Sequence, residues 1–192
     1  MDDYPQIAAH FQNTLDVIMS SVDEIAEPLS LAASVITAAL LEDRKLLVCG
    51  EGPDAALARL LAGNLLGYTA DERPALPAMA LDGGLDDPGD TANSGVARQV
   101  SALGQPADIL FCIASGVPGT GLARAVQSAR QRQLGVILLS GAELGEVRPV
   151  LLGDDIRITV PSVERDVVVE LSTMAINTLS ELIELHVFGF ER

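Results

Sequence analysis

The sequence predicts an α/β fold, namely a doubly wound, flavodoxin-like sheet of five parallel strands preceded by two N-terminal helices. Short, continuous apolar runs alternate along the chain with segments whose apolar residues recur every three or four positions. Strands that are apolar on both faces and alternate with helices are typical of a parallel sheet covered on both sides. Because no linker-like stretch interrupts the 192 residues, we expect one domain, with a helical pair at 1–43 and the sheet core and closing helix at 44–192.

The N-terminal helices are predicted from two apolar stripes. One stripe runs from Ile7 to Ile25 and the other from Leu31 to Leu40, each with helical spacing. Pro28 lies between them, and a proline removes one helix hydrogen bond and clashes with the preceding turn. We therefore expect the first helix to end before the second begins.

The sheet and its covering helices follow in regular alternation. Aliphatic runs bounded by glycine or polar residues predict strands, and apolar stripes between them predict helices. The polar, Asp- and Gly-rich stretch 82–95 is predicted to be a mobile loop beside the sheet. The predicted strands are 45–50, 76–81, 108–115, 135–140 and 155–160; the predicted helices are 57–65, 96–103, 122–132, a short one within 141–151, and 164–186.

The closing helix predicts self-association. Its apolar residues, from Val167 to Leu185, cover more than one face, which is typical of a buried helix. A single domain of this size has difficulty burying this helix and two amphipathic N-terminal helices together. We therefore expect a homo-oligomer with a helical bundle shared between subunits.

Composition limits the function classes. The formal net charge is −15, with only 12 Lys and Arg residues, so direct binding to nucleic acid is not expected. The N-terminus has no signal peptide pattern, and no apolar run reaches membrane-spanning length. We expect a cytoplasmic protein without membrane attachment.

The two cysteines are predicted to be structural. Cys49 and Cys112 each lie inside an apolar run that is predicted to be a strand. Buried, reduced thiols in neighbouring strands are the expected arrangement. No spacing of His, Cys, Asp and Glu indicates a metal site.

Two Gly-containing turns mark the predicted ligand cleft, since ligands bind at the carboxyl ends of the strands in such a sheet. The first turn contains Glu51, Gly52 and Asp54; the second contains Ser115, Gly116 and Thr120. Such turns direct backbone N–H groups toward an anion, so the second turn retains a weakened phosphate site, although an ordinary tight turn is equally consistent. Asp54 places a carboxylate at the start of its helix, as a cap or first-turn acid, and thereby opposes a phosphate at the first turn. The sequence leaves open whether its side chain caps the helix or points into the cleft.

Candidates for acid–base chemistry are few. His10 and His186 lie outside the strand-end turns and are interpreted as structural. Glu51 and Glu170 are the best available carboxylates, and both are counted among the weak ligand-binding candidates.

The run CGEGPDAALARLLAGNLLGYTADERPALPAMAL carries a family resemblance. Together with QVSALGQPADILFCIAS and IRITVPS, it resembles the SIS-domain family, in particular the group of phosphoheptose isomerases and DnaA initiator-associating proteins. The resemblance covers nearly the whole chain. It implies a single SIS domain that assembles as a homotetramer.

The family's catalytic residues are replaced. By resemblance, Leu60 and Asn64 stand where the isomerases carry His and Glu, while Val169 and Ser172 stand where they carry Gln and His. Asp54 replaces a phosphate-binding Ser. Since neither Asn nor Ser titrates near neutral pH, the resemblance favours a protein without a catalytic site and without cofactor or zinc.

The resemblance therefore implies a non-catalytic scaffold whose partner is the replication initiator. The terminal aromatics Phe188 and Phe190, predicted to follow the closing helix, are candidate partner-binding residues. The alternative is an isomerase of sedoheptulose 7-phosphate, which would use zinc, or a sugar-phosphate sensor. A third reading is that Glu51, Asp54 and the Asp-rich loop favour a neutral or cationic ligand.

Overall fold

A computed structural model of the chain describes residues 3–67, 73–82 and 95–189. Most of the predicted polar loop at 82–95 therefore lies outside the described residues, as do Glu72 of the family pattern and Phe190.

The predicted five-stranded parallel sheet is confirmed. The strands follow the spatial order β2-β1-β3-β4-β5, and every neighbouring pair is parallel. The aliphatic runs become strands because the central ones are buried on both faces, where branched side chains pack well. Their bounds are β1 Leu46–Gly50, β2 Ala78–Ala80, β3 Ile109–Ala114, β4 Gly135–Ser140 and β5 Ile156–Thr159.

The helices form layers on the two sides of the sheet. Alternate residues of each strand point to opposite faces, so Val48 and Phe111 join one core cluster while Leu47 and Leu110 join the other. The first cluster is completed by α1, α2 and α5, and the second by α3 and α4. The helices are α1 Tyr4–Leu41, α2 Ala55–Leu66, α3 Gly95–Leu103, α4 Thr120–Gln131 and α5 Arg165–Phe188, with 3₁₀ helices at Gly52–Asp54 and Gly145–Val150.

The prediction of two N-terminal helices is wrong, because α1 is one continuous helix of 38 residues that contains Pro28. A proline inside a helix costs about 3 kcal/mol. Leu29, Ala32 and Ile36 are buried directly after it, and full burial of a single large apolar side chain stabilises by about 1.5–3 kcal/mol. Packing of this second half against the sheet and α5 therefore outweighs the local cost of the proline.

The first half of α1 has a different environment from the second. Tyr4, Ile7, Phe11 and Leu15 are 52–74% exposed, whereas Leu29 and Leu40 belong to the core. By length and composition α1 is the one described helix that could cross a membrane. Its second half is instead packed into the protein core, which is why composition alone is weak evidence here.

The end of α5 corrects the predicted position of Phe188. This residue is the last one of the helix, not part of a tail beyond it, and its half-buried ring packs against the core. The Arg73 guanidinium lies 5.7 Å from the centroid of the same ring. Gly189 then ends the helix in the left-handed conformation, with φ 73°, which favours glycine.

The cysteine prediction is confirmed. Cys49 of β1 lies directly opposite Cys112 of β3, and both thiols are free and fully buried. Their sulfur atoms are 3.7 Å apart.

Candidate functional site

The strand-end cleft lies where β1 and β3 end. It is a cavity of about 240 Å³ between the first turn, which leads into α2, and the second turn, which leads into α4. The cleft therefore stands at the edge of the sheet where the sequence predicted it. Its lining residues are Glu51, Gly52, Pro53, Asp54, Ala114, Gly116, Val117, Pro118 and Arg165.

Asp54 is buried in the cleft and bonds to the neighbouring turn. Its carboxylate accepts hydrogen bonds from the Ser115 backbone N–H at 2.9 Å and from the Ser115 hydroxyl at 2.5 Å. A Cβ at Gly50 would lie only 2.6 Å from the Asp54 backbone, so the first turn folds back this closely because residue 50 is glycine.

Two orientations of Asp54 are open from the sequence, capping of its own helix and pointing into the cleft, and the structure shows the second. Asp54 precedes α2, but its side chain makes no cap hydrogen bond there. Its backbone is already helical, with φ −69° and ψ −14°, whereas a capping side chain usually requires an extended backbone. The carboxylate instead reaches across to Ser115, in the turn that follows β3.

Arg165 compensates the buried charge. Its Nε donates to the Ser115 hydroxyl oxygen at 3.1 Å, and its terminal nitrogen lies 3.8 Å from an Asp54 oxygen. The Arg165 side chain is 51% exposed, so one side of the guanidinium faces solvent. Arg165 is not among the residues predicted from the sequence; the signal that could have identified it is its position at the start of α5, just after the last strand.

Glu51 is bound to the start of α4. Its two carboxylate oxygens accept hydrogen bonds from the backbone N–H groups of Gly119, at 3.1 Å, and Leu122, at 2.9 Å. The first N–H groups of a helix have no partner within the helix and carry partial positive charge. The Glu51 side chain thus occupies the position at the start of α4 where an anion would bind.

The remaining predicted residues of the two turns are exposed. Gly52 adopts a positive φ of 53°, which permits the tight first turn. Gly116 lines the cleft, while Thr120, the first residue of α4, is not among the lining residues. The Ser115 hydroxyl is bonded to Asp54 and Arg165. The weakened phosphate site at the second turn, with an ordinary tight turn as its alternative, stays a prediction.

Glu170 does not join this cleft. One of its oxygens lies 3.0 Å from His10 Nε2 and the other accepts the Thr14 hydroxyl at 2.7 Å, so the side chain links α5 to α1. The Thr14 hydrogen bond, followed by the hydrogen bond and charge of His10, lowers the pKa of Glu170. Its predicted role in ligand binding at the cleft is not supported by this position, and His10 has a structural role.

The positions compared with the isomerases lack an acid–base pair. Leu60 packs against the core, and Ser172 is fully buried with no hydrogen-bond partner for its hydroxyl among the residues that the structure describes. Asn64 donates from its amide to Asn177 at 3.2 Å and to Ser180 at 3.3 Å. Asn177 is not predictable as a site residue, because a lone Asn within an apolar helix gives no signal of its partner.

The polar groups of the cleft make structural contacts with one another in this structure. Both cleft carboxylates are engaged with backbone N–H groups. Over residues 3–67, 73–82 and 95–189, no group of three or more His, Cys, Asp and Glu side chains is arranged to hold a metal ion.

Comparisons with known proteins agree with this fold. The family model described as the SIS domain matches residues 10–141. The phosphoheptose isomerase of Alkalilimnicola ehrlichii is 33% identical, over 98% of this chain and 99% of its own length. The DnaA initiator-associating protein DiaA of Photorhabdus laumondii is 30% identical, over 95% of this chain and 96% of its own. The structure of a phosphoheptose isomerase from Francisella tularensis superimposes with a TM-score of 0.85 at 27% identity, covering 95% of this chain and 98% of that one.

Proposed function

The chain belongs to the SIS domain family, and from this premise we propose that it is a non-catalytic homo-oligomer that acts in the cytoplasm as a protein-binding scaffold. Its proposed partner is the replication initiator, by likeness to the relative named DnaA initiator-associating protein. Fold similarity alone does not decide between this role and catalysis, because one fold supports many functions. The residues of the cleft favour the scaffold.

The observation that carries this proposal is that carboxylates of the chain itself already bind the backbone N–H groups at the cleft. Glu51 takes the N–H groups of Gly119 and Leu122, and Asp54 takes the N–H of Ser115. A sugar phosphate would need these donors and would meet two carboxylates instead. Two like charges 4 Å apart repel by about 4 kcal/mol near a protein surface, so this arrangement disfavours a phosphate ligand.

The positions that would carry isomerase chemistry give further support. Moving a proton between adjacent carbons requires a general base and a general acid. Leu60, Asn64 and Ser172 cannot supply them, since none titrates near neutral pH. Zinc does not fit these residues either, because Leu60 offers no donor atom and the Asn64 amide is bonded to Asn177.

The charge of the chain is compatible with a protein partner that presents basic residues. The formal net charge is −15, which would accelerate association with a positively charged surface. Of the two predicted partner-binding aromatics, Phe188 is half-buried beside Arg73. Phe190 is the better candidate for direct contact, on its sequence position near the C-terminus.

The test is a surface-binding measurement with purified DnaA initiator from the same organism. We expect saturable binding that weakens with added salt and with Phe190→Ala, while Arg192→Ala serves as the matched control on the same terminal segment. Absence of saturable binding at any protein concentration would contradict the initiator as partner.

The alternative function is an isomerase of sedoheptulose 7-phosphate or a sugar-phosphate sensor. It is favoured by the 33% identity to a phosphoheptose isomerase and by the half-exposed Arg165 at the cleft. Thermal unfolding with and without millimolar sedoheptulose 7-phosphate and zinc distinguishes the two functions. A ligand at 100 times its dissociation constant stabilises by about 2.7 kcal/mol. We expect no shift in the melting temperature. A clear shift would favour the isomerase or sensor over the scaffold.

A further inference from the structure

The outer surface of α3 and α4 has a charge opposite to that of the chain as a whole. The chain contains 27 acidic and 12 basic residues. Within residues 95–142, however, there are four arginines and a single acidic residue, Asp108, which is 1% exposed. The charged side chains that this stretch presents to solvent are therefore all arginines.

Three of these four arginines are exposed. Arg98 lies on α3, Arg124 lies on α4, and Arg132 directly follows α4. The fourth, Arg130, is half-buried and pairs with the buried carboxylate of Asp155. The surface that Arg98, Arg124 and Arg132 form is here called the arginine face.

The packing of the two helices brings these arginines onto one surface. Val96 and Val100 of α3 and Val126 of α4 belong to the same core cluster beneath the helices. The opposite sides of both helices therefore face solvent together. Nε of Arg132 also donates to the Gly104 carbonyl at 2.9 Å, which joins the end of α4 to the end of α3.

The side chains between the arginines are polar and uncharged. Gln127 and Gln131 are exposed on α4 at helical spacing from Arg124, and they can donate to an oxygen ligand without repelling it. Among the residues that the structure describes, Arg98 and Arg132 have no acidic partner. The arginine face is thus equipped to bind carboxylates from outside the chain.

The acidic surroundings favour a short ligand over an extended one. At physiological ionic strength, interactions between exposed charges are screened beyond about 8 Å. A short segment on the arginine face therefore interacts with the arginines more than with the net charge of −15. A DNA duplex or an anionic bilayer extends further and would also meet Glu143 and Glu146, which are exposed where the chain next packs against α4.

The dimensions also suit a peptide. The 12 residues of α4 span about 18 Å, at about 1.5 Å per residue. An extended segment of about six residues has the same length, at about 3.3 Å per residue. Guanidinium groups bind carboxylates through two parallel hydrogen bonds, so a segment of this length could engage more than one arginine.

From these observations we propose that the arginine face binds an extended segment, rich in Asp and Glu, of a partner protein. The inference goes beyond the proposed function, whose initiator contact is placed at Phe190. The arginine face lies in the α3 and α4 layer, whereas α5, which leads toward Phe190, belongs to the layer on the other side of the sheet. The two contacts can therefore be tested separately.

The experiment uses a fluorescein-labelled peptide of ten glutamates and the full chain, with fluorescence anisotropy as the readout. We expect saturable binding that weakens as salt is added, despite the net negative charge of the protein. The variant Arg98→Gln/Arg132→Gln should bind about tenfold more weakly, as expected for two exposed ion pairs.

The matched control is Arg59→Gln/Arg157→Gln, which changes the net charge equally at two exposed arginines outside α3 and α4. This control should bind the peptide like the wild type. Equal weakening in the two double variants would show a general charge effect and overturn the proposal, as would a wild type that does not bind the peptide.

A second variant covers the case in which loss of the contact between Arg132 and Gly104 unfolds the protein. Gln127→Glu/Gln131→Glu adds two carboxylates to the exposed side of α4, and it should also weaken peptide binding. Unchanged binding in this variant would overturn the proposal. Binding of duplex DNA or phosphatidylserine vesicles through the same arginines, without binding of the peptide, would assign the arginine face to another class of partner and overturn it as well.

Discussion

The Glu51 carboxylate, just after β1, accepts a hydrogen bond from the backbone N–H of Gly119 at 3.1 Å. A residue of the first turn therefore caps α4, the helix that follows the second turn. The same carboxylate accepts the Leu122 N–H at 2.9 Å. The contact joins residues 68 positions apart. It ties together two turns that would otherwise be separate surface loops.

Replacement of Glu51 is expected to destabilise the protein. Glu51→Ala removes two hydrogen bonds to an ionised group, each worth about 1.5–3 kcal/mol, although water replaces part of this at a half-buried site. We therefore expect a loss of about 1–3 kcal/mol in the free energy of unfolding, measured by urea denaturation. Glu51→Gln keeps one acceptor oxygen and should lose less. Equal losses for the two variants would contradict a charge-assisted cap.

Among the arginines that the structure describes, Arg73 is expected to be the one whose substitution destabilises the protein most. Its side chain is 1% exposed, and it pairs with Glu184 at 2.8 Å while donating to the backbone carbonyls of Asn64 and Leu65. Removal of one partner of a buried ion pair costs about 3–5 kcal/mol, because the other charge stays buried. We expect a loss of this size for Arg73→Ala in thermal or urea unfolding.

The matched control for Arg73 is Arg59→Ala, on the exposed side of α2. Substitutions at exposed sites usually change stability by less than 0.5 kcal/mol. Similar losses for the two arginine variants would refute the special role of the buried pair.

The contact between Glu170 and α1 predicts that the stability of the protein depends on pH in the acidic range. The pKa of Glu170 is lowered in the folded protein, first by the Thr14 hydrogen bond and then by His10. A carboxylate with a lowered pKa stabilises the fold above its unfolded pKa, about 4.3, and this contribution is lost as pH falls through the folded pKa.

The free energy of unfolding of the Glu170→Gln variant should therefore be closest to that of the wild type at pH values under about 4. At pH values over about 5 it should be lower than the wild-type value by the largest amount. Urea unfolding at a series of pH values measures the difference. Glu24→Gln, a change of the same charge on an exposed position of α1, is the control. A loss of unfolding free energy in Glu170→Gln that does not change with pH would contradict the assigned hydrogen bonds.

The two thiols are expected to be unreactive in the native protein. The pKa of Cys112 is raised, first by the hydrogen bond with Cys49 and then by burial, and the thiolate is the reactive form. A thiol reagent such as dithionitrobenzoate should therefore label neither cysteine in the native state and both in guanidinium. Rapid labelling of native protein would show that β1 and β3 open at their centre.

The parallel sheet was predictable because each aliphatic run, such as 108–115, carries its own local signal. The continuity of α1 through Pro28 was not, since it depends on burial of Leu29 and Ile36 against elements distant in sequence. The sequence also indicated that Asp54 introduces an anion at the predicted anion site. It could not indicate that the carboxylate bonds to Ser115 instead of its own helix, because that partner is 61 positions away.

The two cleft carboxylates also restrict how this chain could change in evolution. Glu51 and Asp54 both stand on the first turn and both bond to N–H groups of the second. Loss of either one leaves buried donors without a partner, while the other still repels an incoming anion. Freeing both turns for an anion would thus require two coordinated substitutions with a less stable intermediate, so selection for stability would keep the two carboxylates together.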